Sequence, residues 1–356
     1  MTIKVLLVED SPVATILLQK IINASSDIQV VGTAKNGLEG LELLKKLNPD
    51  VICSDLHMPK MNGLEFTKEV MANFPKPILV ISASVQEEDT KHVFDVLNAG
   101  AVDIFPKPRS GQPKDYDFIT ESLLTKIRVL SGIKVFRRKS SSTSILPIPS
   151  SSTSQSTPVK STPSTISSHK KIQMIAIGTS TGGPQVLLEI LGKIPAHFSV
   201  PIVCVQHISE GFLDGLIDWL NNNCQLKVKV AMTGEKPQGG YIYFPREKHH
   251  LEFDRNGRFF CFTGLPVDGH CPSVTVTFNS CAKVFGKNAI GVLLTGMGKD
   301  GAQGLLAMSQ QGAYTIAQDE ASSVVFGMPG EAIRLGGAKK VLPDHAIASH
   351  LMTLTR

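Results

Sequence analysis

The sequence predicts an α/β protein with two domains, at residues 1–130 and 172–356, joined by a linker at 131–171. Its 356 residues suit two domains of ordinary size. In both domains short β-rich runs alternate with helical patterns, which is typical of parallel sheets with helices on both faces. Between them, 22 of the 29 residues at positions 140–168 are serine, threonine or proline. Such a segment buries too little apolar surface to offset its ordering entropy, so it predicts a flexible connection.

The positive charge of the chain is concentrated in that linker. The whole chain has 36 Lys+Arg and 31 Asp+Glu, a formal net charge of +5, but residues 131–171 hold seven basic residues and no acid. The first domain has 14 basic and 17 acidic residues, and the second has 15 and 14. Neither near-neutral domain predicts a nucleic-acid surface, and no apolar run reaches the ~18–20 residues of a membrane helix. We expect a cytoplasmic protein with no nucleic-acid partner and no direct membrane insertion.

Five β-rich runs, each followed by a helical pattern, divide the first domain. These runs lie at residues 4–8, 29–33, 51–54, 78–81 and 102–105. Five such β-then-α units predict a five-stranded parallel sheet. In a sheet of this kind, functional groups gather at the carboxyl ends of the strands.

Polar side chains stand at four of these strand ends. Glu9 and Asp10 follow the first run, Asp55 follows the third, Ser82 the fourth, and Lys107 comes just after the fifth. Three converging carboxylates repel one another unless a hard cation joins them, and Mg²⁺ with oxygen ligands fits. A carboxylate, a hydroxyl and an ammonium around such an ion suit phosphoryl transfer onto an aspartate. Each acid alone would indicate a solvated loop charge or a helix cap, but five groups in this order favour a site.

The motifs around these residues resemble those of a response-regulator receiver domain, which has a flavodoxin-like fold. They are Val8-Glu9-Asp10-Ser11, the segment from Asp55 to Gly63, Ile81-Ser82-Ala83 and Phe105-Pro106-Lys107-Pro108. The resemblance implies that Asp55 takes a phosphoryl group from a histidine kinase. It also implies that Glu9, Asp10, Asp55 and the His57 carbonyl hold Mg²⁺, that Ser82 and Lys107 contact the phosphoryl group, and that Lys107–Pro108 is a cis peptide bond.

The second domain opens with a predicted strand at 172–177 and a glycine-rich turn at 178–184. Such a turn admits three interpretations: a phosphate cradle, a serine nucleophile, or a tight structural turn. A dinucleotide fold would place an acid after the next strand, but the run at 201–205 is followed by Gln206 and His207. There is also no GxxxxGK[ST] pattern for a phosphate-binding loop.

Gly178-x-Ser180-x-Gly182 fits a nucleophile elbow, and His207 would stand at the end of the neighbouring strand. The α/β-hydrolase order would instead need a late histidine such as His345 or His350, both of which look like surface residues. A third buried strand at 288–294 is followed by a loop that leads to Asp300. Ser180, His207 and Asp300 could therefore converge as a triad, which is defined by geometry rather than chain order. The competing interpretation of Asp300 is a helix N-cap, and His249-His250 is interpreted as a charged turn.

These glycine-rich loops, with Ser180, His207 and Asp300, resemble the catalytic domain of the chemotaxis response-regulator protein-glutamate methylesterases. The resemblance implies a doubly wound α/β domain that hydrolyses γ-glutamyl methyl esters on methyl-accepting chemotaxis receptors and also deamidates glutamine. It implies oxyanion contacts from Thr181 and from the loop of Met297, and no cofactor for the esterase. The rival class is a response regulator whose second domain only binds DNA or a protein. A binder would not need a serine, a histidine and an acid at three strand ends.

Overall fold

The computed structural model describes residues 2–82, 87–108, 113–133, 135 and 171–355. The predicted linker at 131–171 lies almost entirely outside these residues, so the domain boundaries stay a prediction. No helix in the described ranges is long and apolar enough to cross a membrane.

The N-terminal part is a five-stranded, wholly parallel sheet with the order β2-β1-β3-β4-β5. The strands are β1 (Ile3–Val8), β2 (Ile28–Ala34), β3 (Val51–Ser54), β4 (Ile78–Ser82) and β5 (Asp103–Pro106). The helices are α1 (Pro12–Asn23), α2 (Gly37–Leu47), α3 (Gly63–Asn73), α4 (Glu87–Ala99) and α5 (Pro113–Ser131). This order is the flavodoxin-like one, and it confirms the fold predicted from the alternating pattern.

The C-terminal part is built on a seven-stranded parallel sheet with the order β14-β13-β12-β6-β7-β9-β8. Its strands are β6 (Met174–Thr179), β7 (Ile202–Gln206), β8 (Lys227–Val230), β9 (Tyr241–Phe244), β12 (Ala289–Leu293), β13 (Tyr314–Gln318) and β14 (Lys340–Leu342). β10 (His250–Phe253) and β11 (Phe259–Phe262) form a separate antiparallel hairpin. The helices are α6 (Gly183–Leu191), α7 (Leu213–Asn223), α8 (Val274–Phe285), α9 (Ala302–Gln310), α10 (Met328–Arg334) and α11 (Asp344–Leu354).

The central strands are continuous apolar runs because helices cover both faces of each sheet. All five residues of β7 and all five of β12 are buried. Helix starts follow local signals: Asn62 accepts a bond from the Glu65 N–H while the Glu65 carboxylate accepts one from the Asn62 N–H, a complete capping box at α3. These rigid strands and capped helices fix the positions of the loops at the carboxyl edge.

Two details of the sequence interpretation are wrong. His250 is a buried strand residue, not part of a charged turn. Its Nδ1 accepts a hydrogen bond from the Ser273 N–H at 3.3 Å, and its Nε2 lies 3.0 Å from the Leu265 carbonyl, so tertiary partners satisfy the ring inside the domain. Within the described residues the cis peptide bond is Cys271–Pro272, not Lys107–Pro108. The N–H of Lys107 continues the pairing of β5 with β4 by donating to the Ser82 carbonyl at 2.8 Å.

Candidate functional sites

The first candidate site lies where the strand order of the second sheet reverses. β6 pairs with β7 on one side and with β12 on the other, and ligand sites in open α/β sheets lie at such a switch point. Ser180 follows β6, His207 follows β7, and Asp300 lies on the loop after β12. The structure therefore brings the three predicted groups to one edge of the sheet.

Ser180 sits in a tight turn between β6 and α6 and is only 9% exposed. Its N–H donates to the Thr295 carbonyl at 3.0 Å, and its own carbonyl accepts from the N–H of Gly183 at 2.8 Å. The loop after β12 needs a glycine at position 296, because a Cβ there would lie 2.8 Å from the Cβ of Ser180. The loop after β12 can thus press closely against the serine-bearing turn.

His207 and Asp300 form a buried pair. His207 Nε2 lies 2.8 Å from Asp300 Oδ2, with side-chain exposures of 7% and 1%. The other ring nitrogen, Nδ1, is buried and has no hydrogen-bond partner among the described residues. When the proton of the neutral ring is on Nε2, the Nε2–H donates a hydrogen bond to the carboxylate and Nδ1 can accept one. This tautomer leaves Nδ1 of His207 open to a hydrogen-bond donor.

The Asp300 carboxylate is also bound to the start of α8. Ser273 Oγ and the Thr275 N–H donate to Oδ1 at 2.8 and 2.9 Å, and the Val274 N–H donates to Oδ2 at 2.7 Å. Burial by itself would raise the pKa of Asp300, but its bonds with His207 and Thr275 hold that pKa well below its usual range. The competing N-cap interpretation is wrong, since Gly301 is the N-cap of α9. Asp300 instead stays ionised against the N-terminus of a different helix.

Two backbone N–H groups are available beside Ser180. Among the residues the structure describes, neither the N–H of Thr181 nor that of Met297 donates to a protein acceptor. Thr181 is buried and directly follows Ser180, whereas Met297 is half-buried on the loop after β12. These groups fit the predicted oxyanion contacts, whose assignment stays a prediction.

The second candidate site lies at the carboxyl edge of the first sheet. Oxygens of Glu9, Asp10 and Asp55 lie within 4.8 Å of one another. Lys107 Nζ donates to Asp55 Oδ2 at 2.8 Å and to Glu9 Oε1 at 3.0 Å. Ser82 is buried at the end of β4, and the chain runs from Asp55 to an exposed His57 two residues later. The five predicted groups after β1, β3, β4 and β5 are thus at one edge.

The charges of this cluster fit a divalent cation. Burial, followed by repulsion from Asp55, raises the pKa of Glu9 despite its bond with Lys107. Glu9 Oε2 is buried with no hydrogen-bond partner among the described residues. When ionised, three carboxylates and one ammonium leave two negative charges, which one Mg²⁺ would neutralise. Oxygen donors and an unpartnered buried oxygen are therefore suited to this metal.

Comparison with known proteins decides the family. Residues 175–351 match the CheB methylesterase family, and residues 5–113 match the response regulator receiver domain. The chain is 41% identical over 352 residues to the protein-glutamate methylesterase/protein-glutamine glutaminase 1 of Syntrophus aciditrophicus, covering 99% of this chain and 98% of that protein. The chain belongs to the CheB methylesterase family. A second CheB-family relative, protein-glutamate methylesterase/protein-glutamine glutaminase 3 of Hahella chejuensis, is 41% identical over 355 residues, with 98% of each chain covered.

A solved CheB structure also supports the C-terminal fold. The Thermotoga maritima CheB methylesterase catalytic domain superposes with a TM-score of 0.50 at 37% identity, covering 52% of this chain and 99% of that one. The C-terminal part of this chain, which is built on the seven-stranded sheet, thus has the fold of a CheB catalytic domain, as the loop motifs predicted.

Sequence reasoning missed one buried residue in this CheB-type site. The Gln206 side-chain amide donates from Nε2 to the Ser180 carbonyl and to the His207 carbonyl, both at 2.8 Å. It ties the serine-bearing turn to the end of the histidine-bearing strand. The signal available in the sequence was a polar residue at the end of an otherwise apolar strand. Its two partners could not be read from the sequence, because they depend on how β6 and β7 pair.

The receiver part of this CheB-family chain lies against the serine-bearing turn. Thr181 Oγ1 donates to Asp103 Oδ2 at 2.8 Å, and the Gln185 amide donates to the Ala101 carbonyl at 2.8 Å. At a second contact, the rings of Phe94 on α4 and Trp219 on α7 stack with centroids 5.5 Å apart. The receiver therefore covers the edge at which Ser180 lies.

Proposed function

We propose that this chain is a phosphorylation-controlled protein-glutamate methylesterase that also deamidates glutamine. The observation that carries the proposal is the buried His207–Asp300 pair beside the Ser180 turn at the switch point of the sheet. A serine, a base with a free nitrogen and an ionised acid are the three parts of nucleophilic ester hydrolysis. The names of the relatives from Syntrophus and Hahella give the same two activities.

We propose the following part for each atom in the reaction. Ser180 Oγ attacks the γ-carbonyl carbon while its proton moves to His207 Nδ1, and Asp300 stabilises the imidazolium through Nε2–H. The N–H groups of Thr181 and Met297 would bind the oxyanion. The tetrahedral intermediate collapses to an acyl-enzyme as the leaving methoxide takes the proton from Nδ1 and departs as methanol. Water then repeats the attack, with His207 again as base, and releases glutamate and free Ser180.

A glutamine side chain can follow the same course. The carbonyl carbon is attacked in the same way, and the leaving nitrogen takes the proton and departs as ammonia. Both substrates yield a glutamate side chain, so one site performs both reactions with side chains and water alone. We propose that these side chains lie on the cytoplasmic helices of methyl-accepting chemotaxis receptors, which places the enzyme in the cytoplasm and gives it a part in sensory adaptation.

The receiver part would control access to this site. A histidine kinase of the chemotaxis system would phosphorylate Asp55. Mg²⁺, held by the carboxylates of Glu9, Asp10 and Asp55 and by the His57 carbonyl, would neutralise charge around the transferred group. Ser82 and Lys107 would contact the phosphoryl oxygens.

The link from that site to the esterase runs along β5. Asp103 begins this strand and Lys107 directly follows it. Asp103 in turn accepts the bond from Thr181, beside the nucleophile. A phosphoryl group adds roughly −1.5 to −2 charge and strong acceptors, so Lys107 would be drawn from its two carboxylate partners toward it. We propose that this shift weakens the Asp103–Thr181 contact and lets the receiver move off the Ser180 edge.

The proposal is tested by assaying methanol release from a methylated receptor with the Ser180→Ala variant. Loss of the nucleophile should lower the rate by about three orders of magnitude or more, leaving what the oxyanion contacts supply. Ser349→Ala, at an exposed serine on α11, is the matched control and should behave like the wild type. Near-wild-type methanol release by a folded Ser180→Ala protein would refute the assignment.

A further inference from the structure

A second histidine lies against the catalytic one. The ring of His270 covers a face of the His207 ring, with centroids 3.7 Å apart and planes only 10° from parallel. This is closer than most aromatic pairs, whose centroids are ~4.5–7 Å apart. His270 has no place in the Ser180–His207–Asp300 triad, so this contact calls for a separate explanation.

The backbone fixes His270 in place. Its N–H donates to the Val267 carbonyl, and the Val267 N–H donates to the His270 carbonyl, each at 3.0 Å. Three residues further along, Ser273 caps α8 and donates to Asp300. The segment that carries His270 is therefore held on one side by a paired turn and on the other by the helix that binds the catalytic acid.

The His207 ring needs such a support. Its Nε2 is held by Asp300 at 2.8 Å, but its Nδ1 has no protein partner among the described residues. This hydrogen bond and the Cβ–Cγ bond hold two nearly opposite points of the ring, so rotation of the ring about the line between them stays open. A flat ring in face contact removes this freedom, because any tilt of His207 would press it into its neighbour.

We propose, on the basis of the esterase function above, that His270 is a positioning residue whose flat ring holds His207 in the orientation in which Nε2 faces Asp300 and Nδ1 stays free for the Ser180 hydroxyl. It acts through His207 and does not itself exchange a proton with the substrate. The contact also excludes water from one face of the base.

The charge state of His270 agrees with this positioning role. Burial, reinforced by His207 and by Lys126 of α5, lowers the pKa of His270 to about 4, and Asp300 acts in the opposite direction. Because this pKa lies below its usual value, the ring is neutral throughout the neutral pH range. A neutral ring can lie against His207 when that residue becomes an imidazolium, whereas a charged ring would repel it.

The test compares two apolar substitutions that differ in shape. His270→Phe keeps a flat ring without a titratable group, and His270→Leu keeps bulk but loses the flat face. Both are made in the full chain, which is treated with a small phosphodonor and assayed for methanol release over a range of methylated-receptor concentrations. We expect His270→Phe to keep kcat within about threefold, and His270→Leu to lose about tenfold in kcat with KM changed by less than about threefold.

Controls separate this inference from the esterase function itself. Wild type and Ser180→Ala show whether receptor methyl esters are hydrolysed at this site, whatever the His270 variants do. His345→Ala, at an exposed histidine, is the matched control for loss of an imidazole, and near-ultraviolet circular dichroism checks the fold. The proposal is overturned if His270→Leu matches wild type, if His270→Phe loses as much kcat as His270→Leu, or if the loss falls on KM alone.

Discussion

Replacing Asp103 with alanine is expected to raise the esterase activity of the unphosphorylated protein. Asp103 belongs to the receiver part, yet its Oδ2 accepts a bond from the hydroxyl of Thr181, the residue after the proposed nucleophile Ser180. The same oxygen pairs with Lys126 Nζ at 2.5 Å. The substitution removes the acceptor from this contact while leaving every side chain of the esterase site in place.

The size of the effect follows from the bond that is lost. A hydrogen bond to a charged acceptor contributes about 1.5–3 kcal/mol, and the Asp103 side chain is 18% exposed, which favours the lower end. About 1.5 kcal/mol corresponds to roughly tenfold in the equilibrium between the covered and uncovered states. Basal activity should therefore rise by about tenfold, with the activity of the separate 172–356 fragment as the upper limit.

Two measurements check this prediction. Methanol release from methylated receptor gives the activity, and tryptophan emission gives the position of the receiver, because the single tryptophan of the chain is Trp219, stacked on Phe94. Uncovering should expose Trp219 to water and shift its emission to longer wavelengths. Asp117→Ala, at an exposed aspartate of α5, is the matched control and should change neither signal.

A double-mutant cycle makes the reasoning refutable. If Asp103 acts through the Thr181 hydroxyl, adding Thr181→Val to Asp103→Ala should produce little further rise, since both remove the same bond. Strictly additive effects would show that the two side chains act separately. Unchanged basal activity together with unchanged emission in Asp103→Ala would show that this contact does not hold the receiver in place.

The remaining predictions concern the two carboxylate sites. Asp300→Asn should lower kcat of receptor demethylation by several orders of magnitude, with a smaller effect on KM. Each carboxylate oxygen of Asp300 accepts two hydrogen bonds, so the amide nitrogen of asparagine would face two donors in place of one of these oxygens. A change in KM alone would contradict this. Glu9→Gln should stabilise the metal-free receiver against heat but weaken Mg²⁺ binding in a titration. Because the pKa of Glu9 is raised, its ionisation costs the metal-free fold stability as the pH rises through that pKa, and Mg²⁺ affinity should rise over the same window. Equal Mg²⁺ binding by variant and wild type would refute the ligand assignment.

The convergence of both sites could be predicted from the sequence because parallel strands share one carboxyl edge. Once the runs before these residues are recognised as strands, Glu9 is expected to lie near Asp55 in the first sheet, and Ser180 near His207 in the second. Asp300 was harder to place, since it lies seven residues beyond β12 and opens a helical pattern. Its start-of-helix position predicted a cap equally well, and the structure decided between the two because Gly301 is the N-cap of α9 and the Asp300 carboxylate contacts His207.

The tertiary structure alone decided what holds these groups in place. Asp300 is bound by the start of α8, His207 is covered by the ring of His270, and Thr181 meets Asp103 of the other domain. The partners in these contacts lie 26, 63 and 78 residues apart along the chain, respectively. Hydrophobic periodicity specifies which face of an element is buried, but not which helix end or loop meets it there. The position of each site residue after a strand is therefore a local feature of the sequence, whereas the contacts that support it come from packing between distant segments.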